Sequence, residues 1–415
     1  MTVLSARLPW LAALLLLAAC TSPLSRPATA ADPAPTTLLL VSVDGLPARL
    51  LGRGETPHLD AIAAAGVRAE RMNPSYPSLT FPNHYTLVTG LRPNHHGIIH
   101  NSMRDEGLGD FRLSDRDAVG DGRWWGGEPI WIGAHRAGLR TAAMFWPGTE
   151  APIQGLHPDA WFPFDVDMTE QARVDQVLAW FALPDAERPA LMTLYFDKVD
   201  KAGHDHGPDS AQMHEAIRVT DAAIGRLVDT LRARGQYDQV NLVIVSDHGM
   251  ASVPAGQVIA VEDMVAPDDA DVVSVGQVIG IAPKPGRTAA VERQLLGRHP
   301  PYTCWRRQEL PARWAYGSHP RVPPIVCQMD EGWDALGAET IARRPVRDRG
   351  SHGYDPALPS MGAVFIAHGP AFVEGKVLPA FDNVHVYPLL ARLLGIRAAP
   401  SDGDPAVLQP ALRTR

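Results

Sequence analysis

Short apolar runs, often β-branched, recur along this chain, and stretches with the 3.6-residue period of a helix separate them. Strand candidates are 37–44, 139–146, 190–197, 240–246 and 361–367, and helical candidates are 57–66, 128–138, 170–182 and 211–235, the last ending at Gly235. Strand and helix alternate, which predicts an α/β fold: a mostly parallel sheet with helices on both faces. The stretch from about 251 to 345 breaks the rhythm. It is rich in Pro, Arg and Trp and is expected to form a small inserted lobe, with His352 and the final strand just beyond it. At 415 residues and 45% hydrophobic, the chain has ample material for a core. A formal charge of -8 without any basic run argues against binding a nucleic-acid polymer.

Residues 1–20 carry one basic residue, Arg7, then an apolar stretch ending Leu17-Ala18-Ala19-Cys20. This reads as an export signal too short to span a bilayer, and its end resembles a bacterial lipobox with Cys20 as the lipidated residue. The chain is therefore expected to be exported to the periplasm and lipid-anchored, with 21–36 as a flexible tether and 37–415 as the catalytic domain. In such a compartment Cys304 and Cys327 are expected to form a disulfide, although spacing alone leaves two separate buried thiols open.

Several apolar runs end in metal-type ligands. TLLLVSVDG leads to Asp44 and NLVIVSDHG to Asp247 and His248. Strand ends are where an open α/β sheet places its chemistry. Asp200 and His204, four apart, can aim at one point from a helical turn or a tight loop. Adjacent Asp247 and His248 would face opposite ways on a regular strand, so Gly249 suggests a turn. His352 adds a third imidazole. Three carboxylates and three imidazoles suit two divalent ions of the zinc kind. Thr80 lies in PSYPSLTFPNHYTLVTG. There Pro82 fits a first helical position, so the amides of Thr80 and Phe81 would face an anion at a helix N-terminus. A hydroxyl beside a metal there can act as a nucleophile. His84, His95, His96 and His100 read as packing or structural residues, His206 as solvated, and Trp124, Trp125 and Trp131 as aromatics packing the core.

VSVDG, TFPNHYTLVTGLRPNHHGI, D-x-x-G-H-x-x-G-P at 200–208, SDHGM and SHGYDPALPSMGAVFIAHGP together resemble the nucleotide pyrophosphatase/phosphodiesterase family of the alkaline phosphatase superfamily. The resemblance spans roughly 37–370 and implies an alkaline-phosphatase-like core. It implies one zinc ion held by Asp200, His204 and His352, and another by Asp44, Asp247, His248 and Thr80. It also implies that Asn101 and the Phe81 N–H hold a phosphoryl oxygen and that Phe81 and Tyr195 pack on a nucleotide base. Thr80 would attack phosphorus in line, a phosphothreonine would form, and water would release a nucleoside monophosphate. The rival substrates within the family are glycerophosphodiesters or choline-bearing lysophospholipids. A phosphomonoesterase or sulfatase is disfavoured, since SLTFPN lacks the sulfatase C/S-x-P-x-R pattern and the motifs supply no extra cationic clamp. A binding protein that kept the fold without turnover is disfavoured by the intact ligand set.

Overall fold

The apolar runs do become strands. In this computed structural model, which describes Thr2 and residues 36–414, β1 (Thr37–Val43) is buried along its whole length. Its side chains alternate between two cores. Leu38 and Leu40 join one cluster, while Leu39, Val41 and Val43 join the other. A strand apolar at both parities belongs in the middle of a sheet covered on both faces.

That sheet has eight strands. Beside β1 they are β2 (Val67–Ala69), β3 (Thr141–Met144), β4 (Ala160–Trp161), β5 (Leu191–Phe196), β6 (Val240–Val245), β7 (Phe365–His368) and β8 (Lys376–Leu378), in the order β8-β2-β7-β6-β1-β5-β3-β4. β1 pairs in parallel with both β5 and β6, and β3 in parallel with β5. β7 runs antiparallel to β6 and to β2, so the sheet is mostly but not wholly parallel. The helices α1 (Pro57–Ala65), α4 (Glu170–Phe181) and α6 (Ala211–Ala233) cover one face through residues such as Ile62, Val177 and Ile224. The helices α2 (Thr80–Thr89), α3 (Ile130–Arg136) and α7 (Val386–Leu393) cover the other through Leu87, Ile130 and Leu390. Trp124, Trp125 and Trp131 are buried in that second core, as packing residues. α6 ends at Ala233, and Gly235 takes the left-handed conformation just past it.

The irregular stretch builds its own core. A five-stranded antiparallel sheet runs through 270–274, 278–283, 325–329, 302–306 and 297–299. Cys304 and Cys327 sit opposite each other on neighbouring strands and are joined by a disulfide. The lobe reaches back to the catalytic face through buried Gln277, whose amide donates to Ser351 Oγ at 2.5 Å and to Asp334. Arg349 also pairs with Asp334, so the strand 349–351 that delivers His352 is fixed from the lobe side. Cys20 and the tether 21–36 fall almost entirely outside the described residues. Among the described residues no helix is long and apolar enough to cross a membrane.

Candidate active site

Every ligand-type residue singled out above reaches the C-terminal end of the parallel strands. Asp44 follows β1, Asp247 and His248 follow β6, and α5 (Lys198–His206), which follows β5, carries Asp200 and His204 one turn apart. Two glycines let these segments crowd together. Gly45 has φ +68°, and an added Cβ would lie 2.9 Å from an Asp200 carboxylate oxygen, while its N–H donates to Asp247 Oδ1 at 3.1 Å. At Gly249 a Cβ would collide with the Ser360 carbonyl, so close approach rather than a left-handed turn requires glycine there.

The ligand atoms form two nests. In one, His352 Nε2 lies 3.5 Å from Asp200 Oδ1 and 2.9 Å from His204 Nε2, and His204 Nε2 lies 3.5 Å from Asp200 Oδ2. In the other, His248 Nε2 lies 3.6 Å from Asp44 Oδ1, 2.9 Å from Asp247 Oδ2 and 3.4 Å from Thr80 Oγ1. Ligands about 2.0–2.1 Å from a tetrahedral ion stand roughly 3.3–3.4 Å apart, so both nests have the right size. The groups Asp44–Asp247–His248 and Asp200–His248–His352 each converge within 4.8 Å, with His248 common to both.

Each imidazole is oriented by the backbone. Nδ1 of His204 faces the Gly350 carbonyl at 3.1 Å, that of His248 the Gly249 carbonyl at 2.9 Å, and that of His352 the Ser78 carbonyl at 2.9 Å. A carbonyl accepts, so the proton belongs on Nδ1 and the Nε2 lone pair turns inward. Two inward lone pairs 2.9 Å apart, on His204 and His352, repel unless a cation lies between them. The carboxylates give the same indication. Asp44 Oδ1, Asp200 Oδ1 and Asp247 Oδ2 are buried without a hydrogen-bond partner. Asp247 Oδ2 has His248 at 2.9 Å and His84 at 3.3 Å, but in electrostatic contact rather than aligned bonds. An orphaned buried carboxylate oxygen is costly unless a positive charge meets it. The residues therefore fit a pair of divalent ions.

Electrostatics without such ions are correspondingly skewed. Burial, then Asp247 and Asp200, push the Asp44 carboxyl well above its ordinary range, and burial raises Asp200 too. Asp247 goes the other way: burial opposes ionisation, but His248 and His84 hold it well below. Burial, with His248 and His204 nearby, drives His352 far down. A cation placed between these groups would favour the ionised carboxylates and the neutral imidazoles.

Thr80 is the first residue of α2, with Leu79 as the cap, so Pro82 falls at the third helical position and not the first as its sequence context suggests. It still costs nothing there, because the first turn's N–H groups lack intrahelical partners. The Phe81 N–H donates to Asn101 Oδ1 at 3.0 Å, which aims the Asn101 amide at the helix terminus. Buried Asn83 pins the approach to Thr80, donating to the Pro77 and Leu79 carbonyls and accepting from the Ser75 N–H.

A cleft of about 480 Å³ opens over Thr80, Phe81, Asn101, Asp200, His204 and His352. Tyr195 borders it differently from the expectation. Only 7% exposed, its ring meets His84 and Phe164 edge-on, and its hydroxyl donates to Asp44 Oδ2 at 2.5 Å. Little of its face remains for a base. Phe164, which the sequence reading missed because it lies in an irregular segment, is half-buried and lines the cleft, as does Phe81. Also missed was Arg173. Fully buried on α4, it donates to the carbonyls of Tyr195, Met168 and Asp165, pairs with Asp197 at 2.7 Å, and lies 5.2 Å from the Phe145 ring and 5.7 Å from that of Phe164. His84 is wholly buried, bonded to Ser42 Oγ and the Thr80 carbonyl beside Asp247. His96 and His100 are pushed by burial to about 3 and about 4, which fits neutral structural histidines, and His206 is exposed.

A hydroxyl at a helix N-terminus, facing two ligand nests at the mouth of an α/β sheet, is the arrangement of a hydrolase of phosphoryl esters. The chain belongs to the type I phosphodiesterase/nucleotide pyrophosphatase family, whose model matches residues 38–355. It is 34% identical over 396 residues to a pyrophosphatase/phosphodiesterase of Schizosaccharomyces pombe, covering 92% of this chain and 81% of that one. A venom phosphodiesterase of Crotalus durissus collilineatus is 34% identical over 91% of this chain, which spans only 46% of the venom protein. Human ectonucleotide pyrophosphatase/phosphodiesterase family member 5 is 34% identical over 88% of this chain and 76% of its own length. Among solved structures, the murine member 5 superposes with a TM-score of 0.85, at 34% identity, covering 91% of this chain and all of that one. Its inactive threonine-to-alanine variant in complex with AMP superposes with a TM-score of 0.86, at the same identity and coverage.

Proposed function

We propose that this chain hydrolyses phosphodiester or pyrophosphate bonds of small nucleotides through a phosphothreonine at Thr80, using two zinc ions. The observation that carries this is Thr80 Oγ1 at a helix N-terminus, 3.4 Å from His248 Nε2, among three carboxylates whose inner oxygens lack partners. Asp44, Asp247, His248 and Thr80 would hold one ion, and Asp200, His204 and His352 the other. When bound, such ions supply positive charge at the entering and departing oxygens and acidify a coordinated hydroxyl or water.

The chain's own groups do the rest. Thr80 Oγ1 forms a bond to phosphorus, its proton leaves to solvent, and the electron pair of the breaking P–O bond goes to the departing oxygen. Asn101 Nδ2 donates to a non-bridging oxygen, held in place by its Oδ1 on the Phe81 N–H. A base is received by the half-buried aromatics Phe81 and Phe164, whose π faces suit any base. Water then attacks the phosphothreonine and releases a nucleoside monophosphate. AMP bound to the murine protein at 34% identity supports this substrate class. Export and anchoring at Cys20, with 37–415 as the catalytic domain, complete the proposal.

The test is a panel of a dinucleotide, a nucleoside triphosphate and glycerophosphocholine. The nucleotides should be cleaved and the lipid-type ester spared, with Thr80→Ala silent while retaining its metal. Preference for glycerophosphocholine, or an active Thr80→Ala enzyme, overturns the proposal.

A further inference from the structure

Burial alone would make His84 a packing residue, yet both of its ring nitrogens are spent around one ligand nest. It stands one helical turn beyond Thr80 on α2, with its side chain wholly buried. Nδ1 lies 3.0 Å from the Thr80 carbonyl oxygen and 3.3 Å from Asp247 Oδ2. Both are acceptors, so Nδ1 carries the proton. Nε2 is then left to accept, and the Ser42 hydroxyl donates to it at 2.8 Å, which locks that tautomer. One imidazole thus joins three segments: the end of β1, the first turn of α2 and the ligand-bearing turn after β6.

The ring has no room to turn. Trp146 and Tyr195 meet it edge-on, each with ring centroids 5.1 Å away, and the Trp146 indole N–H donates to the His84 carbonyl at 3.0 Å. The consequence lies at His248 Nε2, which has Thr80 Oγ1 at 3.4 Å on one side and Asp247 Oδ2 at 2.9 Å on another. Thr80 and Asp247 arrive there from different elements, and His84 is the group that touches both residues. A misplacement of about 1 Å can cost roughly 100-fold in rate, so the distance between nucleophile and ligand is worth fixing rigidly.

We propose that His84 is a positioning residue: its Nδ1–H holds the Thr80 backbone and the Asp247 carboxylate in register, and so sets the zinc affinity and the aim of the nucleophile at that nest. This rests on the nucleotide-hydrolase reading and adds to it a residue that touches neither substrate nor ion. Ser42 acts through His84 by holding its tautomer.

The experiment titrates zinc into the chelated full chain and, separately, measures turnover of a nucleoside triphosphate at saturating zinc. An Asn amide nitrogen can take the place of Nδ1, whereas a Gln amide reaches to the place of Nε2. His84→Gln should weaken one of the two zinc-binding steps about 10–100-fold and lower kcat by a similar factor, with KM changed by less than about twofold. His84→Asn should recover most of both. Ser42→Ala, which leaves the ring in place and releases its tautomer, should weaken the same zinc step by about 2–10-fold and leave the other alone. Equal losses in the Asn and Gln variants, or zinc binding unchanged in all three, overturn the role of His84. So do zinc losses that merely follow the stability of the metal-free variants in a denaturant melt, since packing alone predicts that. A parent enzyme that cleaves no nucleotide overturns the hydrolase reading instead, and the zinc titration still decides whether His84 positions the nest.

Discussion

Tyr195→Phe isolates one hydrogen bond while keeping the aromatic ring. The hydroxyl donates to Asp44 Oδ2 at 2.5 Å and so lowers the Asp44 pKa, against burial and two neighbouring carboxylates that raise it. A hydrogen bond to a buried charged group contributes about 1.5–3 kcal/mol. The sign follows directly. Asp44 binds an ion only as the carboxylate, so losing the bond raises its pKa further and makes protons stronger competitors. Zinc affinity at the Asp44 nest should fall about 10–100-fold, the usual effect of losing a partner of a metal ligand. The curve of affinity against pH should move to higher pH. Zinc titration of the chelated protein in metal buffers across pH measures both. A base-stacking role for Tyr195 predicts no change, since phenylalanine keeps the face. Zinc affinity within twofold of the parent at every pH would refute the positioning account.

Other outcomes follow from the same contacts. Arg173→Met strands Asp197 and three carbonyls in the core, and thermal or denaturant unfolding should show a loss of about 3–5 kcal/mol. Phe164→Ala should raise KM for a nucleotide by removing stacking of roughly 1–3 kcal/mol, yet leave bis-p-nitrophenyl phosphate nearly unaffected. Cys304→Ala with Cys327→Ala opens a disulfide spanning 23 residues, and loop entropy puts the cost at about 3.4 kcal/mol in a denaturant melt. A chelator should silence the enzyme and lower its Tm, because the carboxylates Asp44, Asp200 and Asp247 are left facing one another, and Zn²⁺ should reverse both effects.

The strands and the ligands were legible in sequence for the same reason. β1 and β6 are buried at every position and mostly apolar because both faces of the sheet are covered, and the first charged residues after them, Asp44 and Asp247, mark where the sheet ends. The reversal of β7 was not legible, since an apolar run carries no sign of its direction. Phe164 escaped because it lies in an irregular segment between β4 and α4, where no period marks a face. Arg173 reads on α4 as an ordinary charged residue, and only the packing of Phe145 and Phe164 around it reveals a buried cation. For Tyr195 the resemblance placed an aromatic at the site, and burial leaves its hydroxyl on Asp44 with little of its ring face exposed. Thr80 was found through its helix, although the helix starts two residues before Pro82.

The most direct test is to quench turnover of a nucleotide labelled at the α-phosphorus with acid and map where the label stays on the protein. Covalent label on the peptide bearing Thr80, absent from Thr80→Ala, is the predicted result. Label on another residue, or an enzyme that turns over in a single displacement with none retained, would contradict the account.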